Sequence, residues 1–139
     1  ADREEIEDKL KLLRRHTDVI PKFYCFCAYD RAKSKPYTLQ FWEQDIADLF
    51  ERIKILMRYR CLPYVMRYEM WTQTQYKGLY ATIARWCNQP SFVKKKSFRE
   101  FVFDTPGQNK SAPRYFEDFE RCRPDIAANY FDMKWSDFE

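Results

Sequence analysis

The sequence predicts a mixed α/β fold in which strands and helices alternate and the strands form a small parallel sheet. Between residues 40 and 87, a long amphipathic helix is followed by a short apolar strand and a second amphipathic helix. The strand, residues 62–68, is rich in the β-branched and aromatic residues that suit a pleated surface. An earlier strand, residues 22–29, precedes the long helix. Because a helical crossover returns the chain in its original direction, we expect the two strands to be adjacent and parallel.

Hydrophobic spacing defines the elements before the long helix. Residues 3–16 predict a first helix, because Ile6, Leu10 and Leu13 fall on one face and acidic residues lie at its N-terminus. The strand at residues 22–29 is almost continuously apolar, which predicts burial on both of its faces. A polar loop over residues 30–36 leads to the long helix, whose N-cap is expected at Thr38. This loop follows the carboxyl end of a strand, where parallel sheets bind ligands.

Two helices carry apolar residues at helical spacing. In the long helix this stripe comprises Trp42, Ile46, Leu49, Phe50, Ile53, Leu56 and Met57. In the following helix the spacing recurs in Tyr76, Leu79, Tyr80, Ile83, Ala84 and Cys87. The first stripe is wide enough to cover a sheet, so we expect it to be buried.

The C-terminal region is predicted to be helical and irregular. Residues 97–100 have the spacing of a capping box, which predicts a short helix. Residues 104–113 contain two prolines and a glycine and predict a linker or exposed loop, with a further helix starting at Pro113. The tail over residues 124–139 is so apolar that it must dock, either on its own core or on a second copy of the chain, and self-association is favoured. We therefore divide the chain into an α/β domain, residues 1–103, and a C-terminal loop, helix and docking tail, residues 104–139.

Composition excludes several classes of protein. Of the 139 residues, 45% are hydrophobic and 19% are aromatic, which excludes intrinsic disorder and fits a sizeable core. The two glycines, Gly78 and Gly107, cannot build the phosphate-binding motifs GxxxxGK[ST] or GxGxxG. No apolar run approaches the roughly 20 residues of a membrane span. The first residues alternate in charge, unlike a signal peptide, so the sequence predicts a cytoplasmic protein without membrane contact.

The cysteines and the single histidine are the candidate metal ligands and nucleophiles. The chain contains five cysteines, namely Cys25, Cys27, Cys61, Cys87 and Cys122. Their number is odd and their spacing matches no CxxC pattern, so we expect reduced thiols that pack as small hydrophobes. Cys25 and Cys27 point to the same face of their strand, which leaves a shared metal as the alternative. His16 ends the first helix, where a cation complements the helix dipole, and no recognisable catalytic motif surrounds it.

Several segments, in this order, resemble the C-terminal part of the catalytic barrel of bacterial radical S-adenosylmethionine proteins. The segments are FYCFCAYD, CLPYVMRYE, YKGLYATIARWCNQP and SFREFV, at residues 23–30, 61–69, 76–90 and 97–102. In that family a strand that ends the barrel is similar to residues 63–68, and a downstream helix carries an Ala-Arg-Trp element like residues 84–86. The resemblance covers roughly residues 1–103. It implies a partial TIM barrel.

The resemblance also shows what this chain lacks. Radical S-adenosylmethionine enzymes bind a [4Fe–4S] cluster through three thiolates, usually in a CxxxCxxC motif that is absent here. The resemblance therefore implies a C-terminal fragment or shortened relative of such an enzyme, without its own cluster, metal site or activity. S-adenosylmethionine and the cluster are expected only where an N-terminal portion completes the barrel. The residues that the resemblance places on the cofactor-facing rim are Tyr29, Asp30, Tyr68 and Glu69, at the ends of the two strands.

A nucleic-acid-binding or protein-interaction module is the alternative function. The net charge of +4 permits an anionic partner without requiring one. In such a module, basic side chains would contact phosphates and exposed aromatic rings would stack on bases. The candidate basic residues are Lys94, Lys95, Lys96, Arg99, Lys110 and Arg114. The partners left open are thus a second copy of the chain, the remainder of a larger barrel, or a nucleic acid.

Overall fold

A computed structural model of the chain describes residues 2–18, 20–27, 38–67, 74–105 and 110–139. In these ranges the order is helix α1 (Asp2–His16), strand β1 (Lys22–Cys27), helix α2 (Leu39–Arg58), strand β2 (Leu62–Arg67) and helix α3 (Lys77–Cys87). They are followed by α4 (Pro90–Val93), α5 (Phe98–Asp104), α6 (Ala112–Cys122), α7 (Pro124–Tyr130) and a 3₁₀ helix at Trp135–Phe138. The fold is mixed α/β. Among the described helices, none is both long and apolar enough to cross a membrane.

The two strands form a parallel pair, which confirms the prediction drawn from the helical crossover. The register places Tyr24 opposite Tyr64 and Cys25 opposite Val65. The other edge of β2 is covered by the side chain of Asn88, the residue that follows α3. Its amide oxygen accepts a hydrogen bond from the backbone N–H of Val65 at 2.7 Å, and its amide nitrogen donates to the Val65 carbonyl at 3.2 Å. Asn88 therefore occupies the position that a neighbouring strand would take at Val65.

Helix α2 covers one face of this sheet through the stripe that the sequence predicts. Each of its members is at most 4% exposed, namely Trp42, Ile46, Leu49, Phe50, Ile53, Leu56 and Met57. Thr38 caps the helix as predicted, because its hydroxyl accepts a hydrogen bond from the N–H of Phe41 at 3.1 Å. The stripe on α3 is buried as well, with Tyr80 and Ile83 at 0% exposure.

Helix α2 ends in a Schellman turn that aims the chain into β2. The N–H of Cys61 donates to the carbonyl of Leu56 at 2.8 Å, and the N–H of Arg60 donates to that of Met57 at 2.9 Å. Arg60 takes the left-handed conformation, with φ of 56°, at a position that glycine usually occupies. Arg14 of α1 supports the turn, because its guanidinium donates to the Arg60 carbonyl at 3.0 Å. The first helix is thereby fastened to the start of β2.

The second face of the sheet is open, so the expectation that β1 is buried on both faces is wrong. Cys25 and Cys27 face α2 and α3 and are 3% and 0% exposed. Tyr24 points the other way and is 66% exposed, and Met66 shares this side at 42%. The physical reason is that the described helices next to the strands pack on the face of Cys25, so no described element covers Tyr24. Among the described elements, this apolar strand therefore has no second layer to bury it.

The C-terminal helices start with the predicted capping residues. Ser97 and Glu100 form a capping box at α5, in which the Glu100 N–H donates to the Ser97 hydroxyl at 3.1 Å and the Ser97 N–H donates to the Glu100 carboxylate at 3.0 Å. Pro113 lies in the first turn of α6, as predicted. The short helix α4, which begins at Pro90, was not predicted. There the sequence shows only the proline that ends α3.

An aromatic cluster joins the C-terminal helices to α2. Its centre is Phe131, which is fully buried and lies with its ring centroid 5.2 Å from Phe50, 5.3 Å from Phe98, 4.7 Å from Phe116 and 5.9 Å from Phe119. Contacting rings at such distances add to the stabilisation from burial. The cluster draws side chains from both sides of the predicted boundary at residue 103.

The apolar tail docks on its own chain, which is one of the two arrangements predicted for it. Ile126, Met133 and Trp135 are each at most 8% exposed. Tyr130 donates its hydroxyl proton to the Glu51 carboxylate of α2 at 2.8 Å. Self-association stays a prediction, and the tail no longer supplies the reason for it.

Candidate functional site

The four residues predicted on the cofactor-facing rim are Tyr29, Asp30, Tyr68 and Glu69. They lie outside the described residues, so their role stays a prediction. Each follows the carboxyl end of β1 or β2, whose last described residues are Cys27 and Arg67. The described segments next to them along the chain are β1, β2 and Thr38, which caps α2.

The open face presents a small group of aromatic, apolar and cationic side chains. The rings of Tyr24 and Tyr64 meet edge to face, with centroids 5.5 Å apart and planes at 84°. The Lys22 ammonium lies 5.8 Å from the centre of the Tyr64 ring. Met66 completes the exposed surface. Such a face can pack against another layer of protein or line the interior of a barrel.

Two carboxylates near the start of α2 accept hydrogen bonds from tyrosines on α3 and at its N-cap. The Tyr80 hydroxyl donates to Asp45 at 2.6 Å, and the Tyr76 hydroxyl donates to Glu43 at 3.0 Å. Arg123 also donates to Glu43, at 3.2 Å. Burial, followed by the Glu43 carboxylate, raises the pKa of Tyr76 to about 12, and burial together with Asp45 raises the pKa of Tyr80 further. Both phenols are therefore neutral hydrogen-bond donors at physiological pH.

A cleft of about 620 Å³ lies beside these carboxylates, at the end of α2 that follows the carboxyl end of β1. It is lined by Thr38, Gln40, Phe41, Gln44, Asp45, Asp48 and Arg123. In parallel sheets this edge is the usual location of ligand sites. Within the described ranges, however, no three or more His, Cys, Asp or Glu side chains are arranged to hold a metal ion. The cleft can accept hydrogen bonds from a polar ligand, and its described residues do not form a metal centre.

Three thiols cluster between the sheet and the helices that cover it. Burial raises the pKa of Cys25 to about 11 and that of Cys27 to about 12, and it raises the pKa of Cys87 well above its usual value. Cys61 is buried too, whereas Cys122 is exposed. The predicted burial of the thiols is thus confirmed for four cysteines and wrong for Cys122, while all five cysteines are free of disulfide bonds. A protonated, inaccessible thiol is a poor nucleophile and a poor metal ligand.

We expect thiol labelling to separate these two groups. In the folded chain at pH 8, Ellman's reagent should modify about one thiol per molecule, Cys122, and all five cysteines only after denaturation. Because the pKa values of Cys25 and Cys27 are raised from 9.0 to about 11 and 12, ionisation favours the unfolded chain. Their contribution to stability is present below pH 9 and is lost as the pH rises toward 12. Rapid labelling of any thiol in the native Cys122→Ser variant would contradict the assignment.

Two of the six basic residues predicted for phosphate contact are engaged within the chain. The Lys96 ammonium donates to the carbonyl of Asp104 and the hydroxyl of Thr105, both at 3.0 Å, and so holds the end of α5. Arg99 bridges α6 to the tail, with Nε 2.7 Å from the Asp132 carboxylate and Nη2 bound to Glu120. These hydrogen bonds raise the pKa of Arg99. Both side chains therefore have a structural role.

The other four basic residues, Lys94, Lys95, Lys110 and Arg114, are exposed. The Lys94 ammonium lies 5.9 Å from the centre of the Trp135 ring, and the Arg114 guanidinium lies 5.3 Å from that of Tyr115. Arg114 also lines a cleft of about 310 Å³ between α3 and α6. These residues could contact an anion, and nothing in the described geometry selects a nucleic acid.

The structure brings together one cationic pair that the sequence reasoning missed. Arg67 of β2 and Arg85 of α3 line the same cleft, although 18 positions separate them along the chain. Arg85 Nη2 donates to the Thr82 hydroxyl at 3.0 Å, while its Nε is buried and has no hydrogen-bond partner among the described residues. Burial, followed by the charge of Arg67, lowers the pKa of Arg85. A sequence signal existed, since Arg85 lies between the apolar residues Ala84 and Trp86, but nothing along the chain connects it to Arg67.

Comparison with known proteins identifies no relative. No protein-family model, curated protein or solved structure matches this chain. We therefore infer the function from the residues of this chain and their geometry.

Proposed function

We propose that this chain is the C-terminal segment of a parallel α/β barrel of the radical S-adenosylmethionine type, without an iron–sulfur cluster or activity of its own. The observation that supports this most is the one-sided covering of a parallel β-α-β unit. In a doubly wound sheet, helices cover both faces, whereas in a barrel they form an outer ring and leave the inner face to the interior. Tyr24 and Met66 lie on such an uncovered face.

The edges of the sheet support the same arrangement. Asn88 binds both backbone groups of Val65 on the outer edge of β2. A further strand would therefore add more easily at the edge of β1, and β2 would be the terminal strand of the assembly. Strands that come earlier in the sequence would add beyond β1, which is the order expected for a C-terminal segment. In the completed barrel, Tyr29, Asp30, Tyr68 and Glu69 would contribute to the rim that faces the adenosine end of the cofactor.

The thiols of this chain do not fit an iron–sulfur cluster. Cys25, Cys27 and Cys87 are buried between the sheet and its helices, on the face away from the open side, and their raised pKa values oppose the thiolate form. The ligands of the cluster would have to come from an N-terminal portion. This chain would then contribute part of the wall of the barrel and part of the rim that faces the cofactor.

Anaerobic reconstitution with iron and sulfide tests whether the isolated chain holds a cluster. We expect no stable binding of iron and no charge-transfer absorption, because no three accessible thiolates are available. Incorporation of about four irons per chain, accompanied by that absorption, would overturn the assignment of an inactive segment. The Cys122→Ser variant serves as the control for iron bound loosely at the exposed thiol.

Sequencing the upstream reading frame tests the barrel itself. We expect an in-frame segment with a CxxxCxxC motif, and the co-expressed segment should bind this chain and cleave S-adenosylmethionine on reduction. Tyr24→Glu, on the open face, should abolish the association, while Lys95→Glu on the exposed segment after α4 should leave it intact. An upstream frame without that motif, or association that survives Tyr24→Glu, would refute the proposal.

A nucleic-acid-binding function has weaker support. Lys96 and Arg99 are engaged in hydrogen bonds that hold α5, α6 and the tail together. Of the six predicted basic residues, four remain exposed. They carry only a small part of the positive charge that binding to a phosphate backbone requires.

A further inference from the structure

We propose that the cleft between α3 and α6 binds a free α-amino acid with an apolar side chain, whose carboxylate contacts Arg114 and whose ammonium group contacts Asp118. The described lining consists of Gln75, Tyr76, Leu79, Arg114, Tyr115 and Asp118. The proposal is independent of the barrel assignment, since none of these described lining residues belongs to β1 or β2. The volume of the cleft is about 310 Å³, at the lower end of the usual range of about 300–1,000 Å³ for small-molecule sites. A single amino acid suits this volume.

The charge of Arg114 is the first argument. Its guanidinium lies 5.3 Å from the centre of the Tyr115 ring, and among the residues that the structure describes it forms no ion pair. Arg114 is exposed, so a ligand in the cleft can reach it. A guanidinium donates two parallel hydrogen bonds to a carboxylate, and such charge-assisted bonds are stronger than neutral ones. The carboxylate of a small ligand would therefore find a partner here.

The opposite charge one turn further along α6 is the second argument. Arg114 and Asp118 are four positions apart, which places their side chains on the same face of the helix, with roughly 5–6 Å between Cβ atoms. Asp118 pairs with Arg121 instead, whose Nη1 lies 3.3 Å from Oδ1, and its Oδ2 has no hydrogen-bond partner among the described residues. An amino acid carries both charges on one carbon atom, so it can contact both side chains at once. A simple carboxylate would be repelled by Asp118.

The apolar wall of the cleft is the third argument. A methyl group at residue 78 would overlap the ring of Tyr115, so Gly78 of α3 provides the space in which this ring lies. The buried side chains of Tyr76 and Leu79 continue the wall, and Tyr76 is held by the hydrogen bond that it donates to Glu43 at 3.0 Å. The half-buried ring of Tyr115 is the part that a ligand can contact. A wall that is fixed before binding lowers the entropy lost on binding, and it suits an apolar side chain.

Isothermal titration at low ionic strength tests the proposal with L-phenylalanine and three analogues. Phenylpropionate lacks the ammonium group, phenethylamine lacks the carboxylate, and glycine lacks the apolar side chain. We expect saturable binding of L-phenylalanine with Kd at or below about 1 mM, and at least about tenfold weaker binding of each analogue. A Kd for L-phenylalanine above about 1 mM would overturn the proposal. Equal affinity for any of the three analogues would overturn it as well.

Variants locate the bound amino acid. Arg114→Gln and Asp118→Asn should each weaken the binding of L-phenylalanine by at least about tenfold, because each removes a charge-assisted hydrogen bond. Glu117→Gln is the matched control, since Glu117 is exposed on the same helix and is not among the lining residues, and it should leave the affinity unchanged. All three side chains are exposed, so the replacements should not impair folding. Equal losses of affinity in the three variants, or no loss in Arg114→Gln, would refute the site.

Amide NMR spectra separate binding from folding. When L-phenylalanine is added to the native chain, the resonances of Tyr115 and Asp118 should shift, while that of Tyr24 on the open face of the sheet should not. Gly78→Ala should displace the Tyr115 ring and weaken binding by at least about tenfold, in a chain whose spectrum otherwise stays native-like. Unchanged resonances of Tyr115 and Asp118 at saturating L-phenylalanine would place the ligand elsewhere and overturn the proposal. Unchanged affinity in the folded Gly78→Ala variant would refute the apolar wall.

Discussion

Replacing Phe131 by Ala is expected to lower the free energy of unfolding by about 3–5 kcal/mol. The side chain is fully buried and its ring contacts four other phenylalanines, so the smaller residue leaves a cavity lined by Phe50, Phe98, Phe116 and Phe119. A loss of this size is a large part of the roughly 5–15 kcal/mol that stabilises a typical domain. Urea unfolding followed by tryptophan fluorescence measures the difference. The C-terminal helices should become the most labile part of the variant.

The matched control is Phe103→Ala. Phe103 also contacts the cluster, with its ring centroid 5.3 Å from that of Phe116, but its side chain is 45% exposed. Its removal leaves no enclosed cavity, so we expect a loss of about 1 kcal/mol or less. Equal losses in the two variants, or a loss below about 1 kcal/mol for Phe131→Ala, would mean that the tail is not part of the core.

The sequence predicts most reliably the features that depend on spacing within one element or on the connection between two successive strands. The stripe on α2 and the parallel pairing of the strands follow from spacing and from the direction of the crossover, and the structure confirms both. The caps at Thr38 and Ser97 were predictable as well, because each depends on a contact three residues away.

Features that depend on distant parts of the chain were not predictable. The apolar composition of β1 indicates that its side chains prefer burial, and it cannot indicate whether this chain supplies the covering layer, as the exposure of Tyr24 shows. The pairing of Tyr80 with Asp45 and of Tyr130 with Glu51 joins segments 35 and 79 residues apart. No local pattern marks such pairs, since each partner alone resembles an ordinary surface or core residue.

The candidate site shows the same limit. The carboxyl ends of the strands could be named from the order of the elements, yet their residues Tyr29, Asp30, Tyr68 and Glu69 lie outside the described ranges and remain predictions. Arg67 and Arg85 line one cleft because of the way in which α3 packs against β2, and only the packed structure determines this. Sequence reasoning therefore indicated an edge of the sheet, and tertiary packing identified the cationic cleft.

Replacing Leu49 by Ala is expected to cost about 2–5 kcal/mol in the free energy of unfolding. Leu49 is fully buried at the centre of the stripe by which α2 covers the sheet, so truncation removes packing that the neighbouring side chains cannot fully restore. Leu39→Ala is the matched control, because Leu39 is the first residue of the same helix and is 50% exposed. Chemical denaturation should show a loss for Leu39→Ala of about half a kcal/mol or less. If the loss for Leu49→Ala were equally small, α2 would not be packed on the sheet through this face.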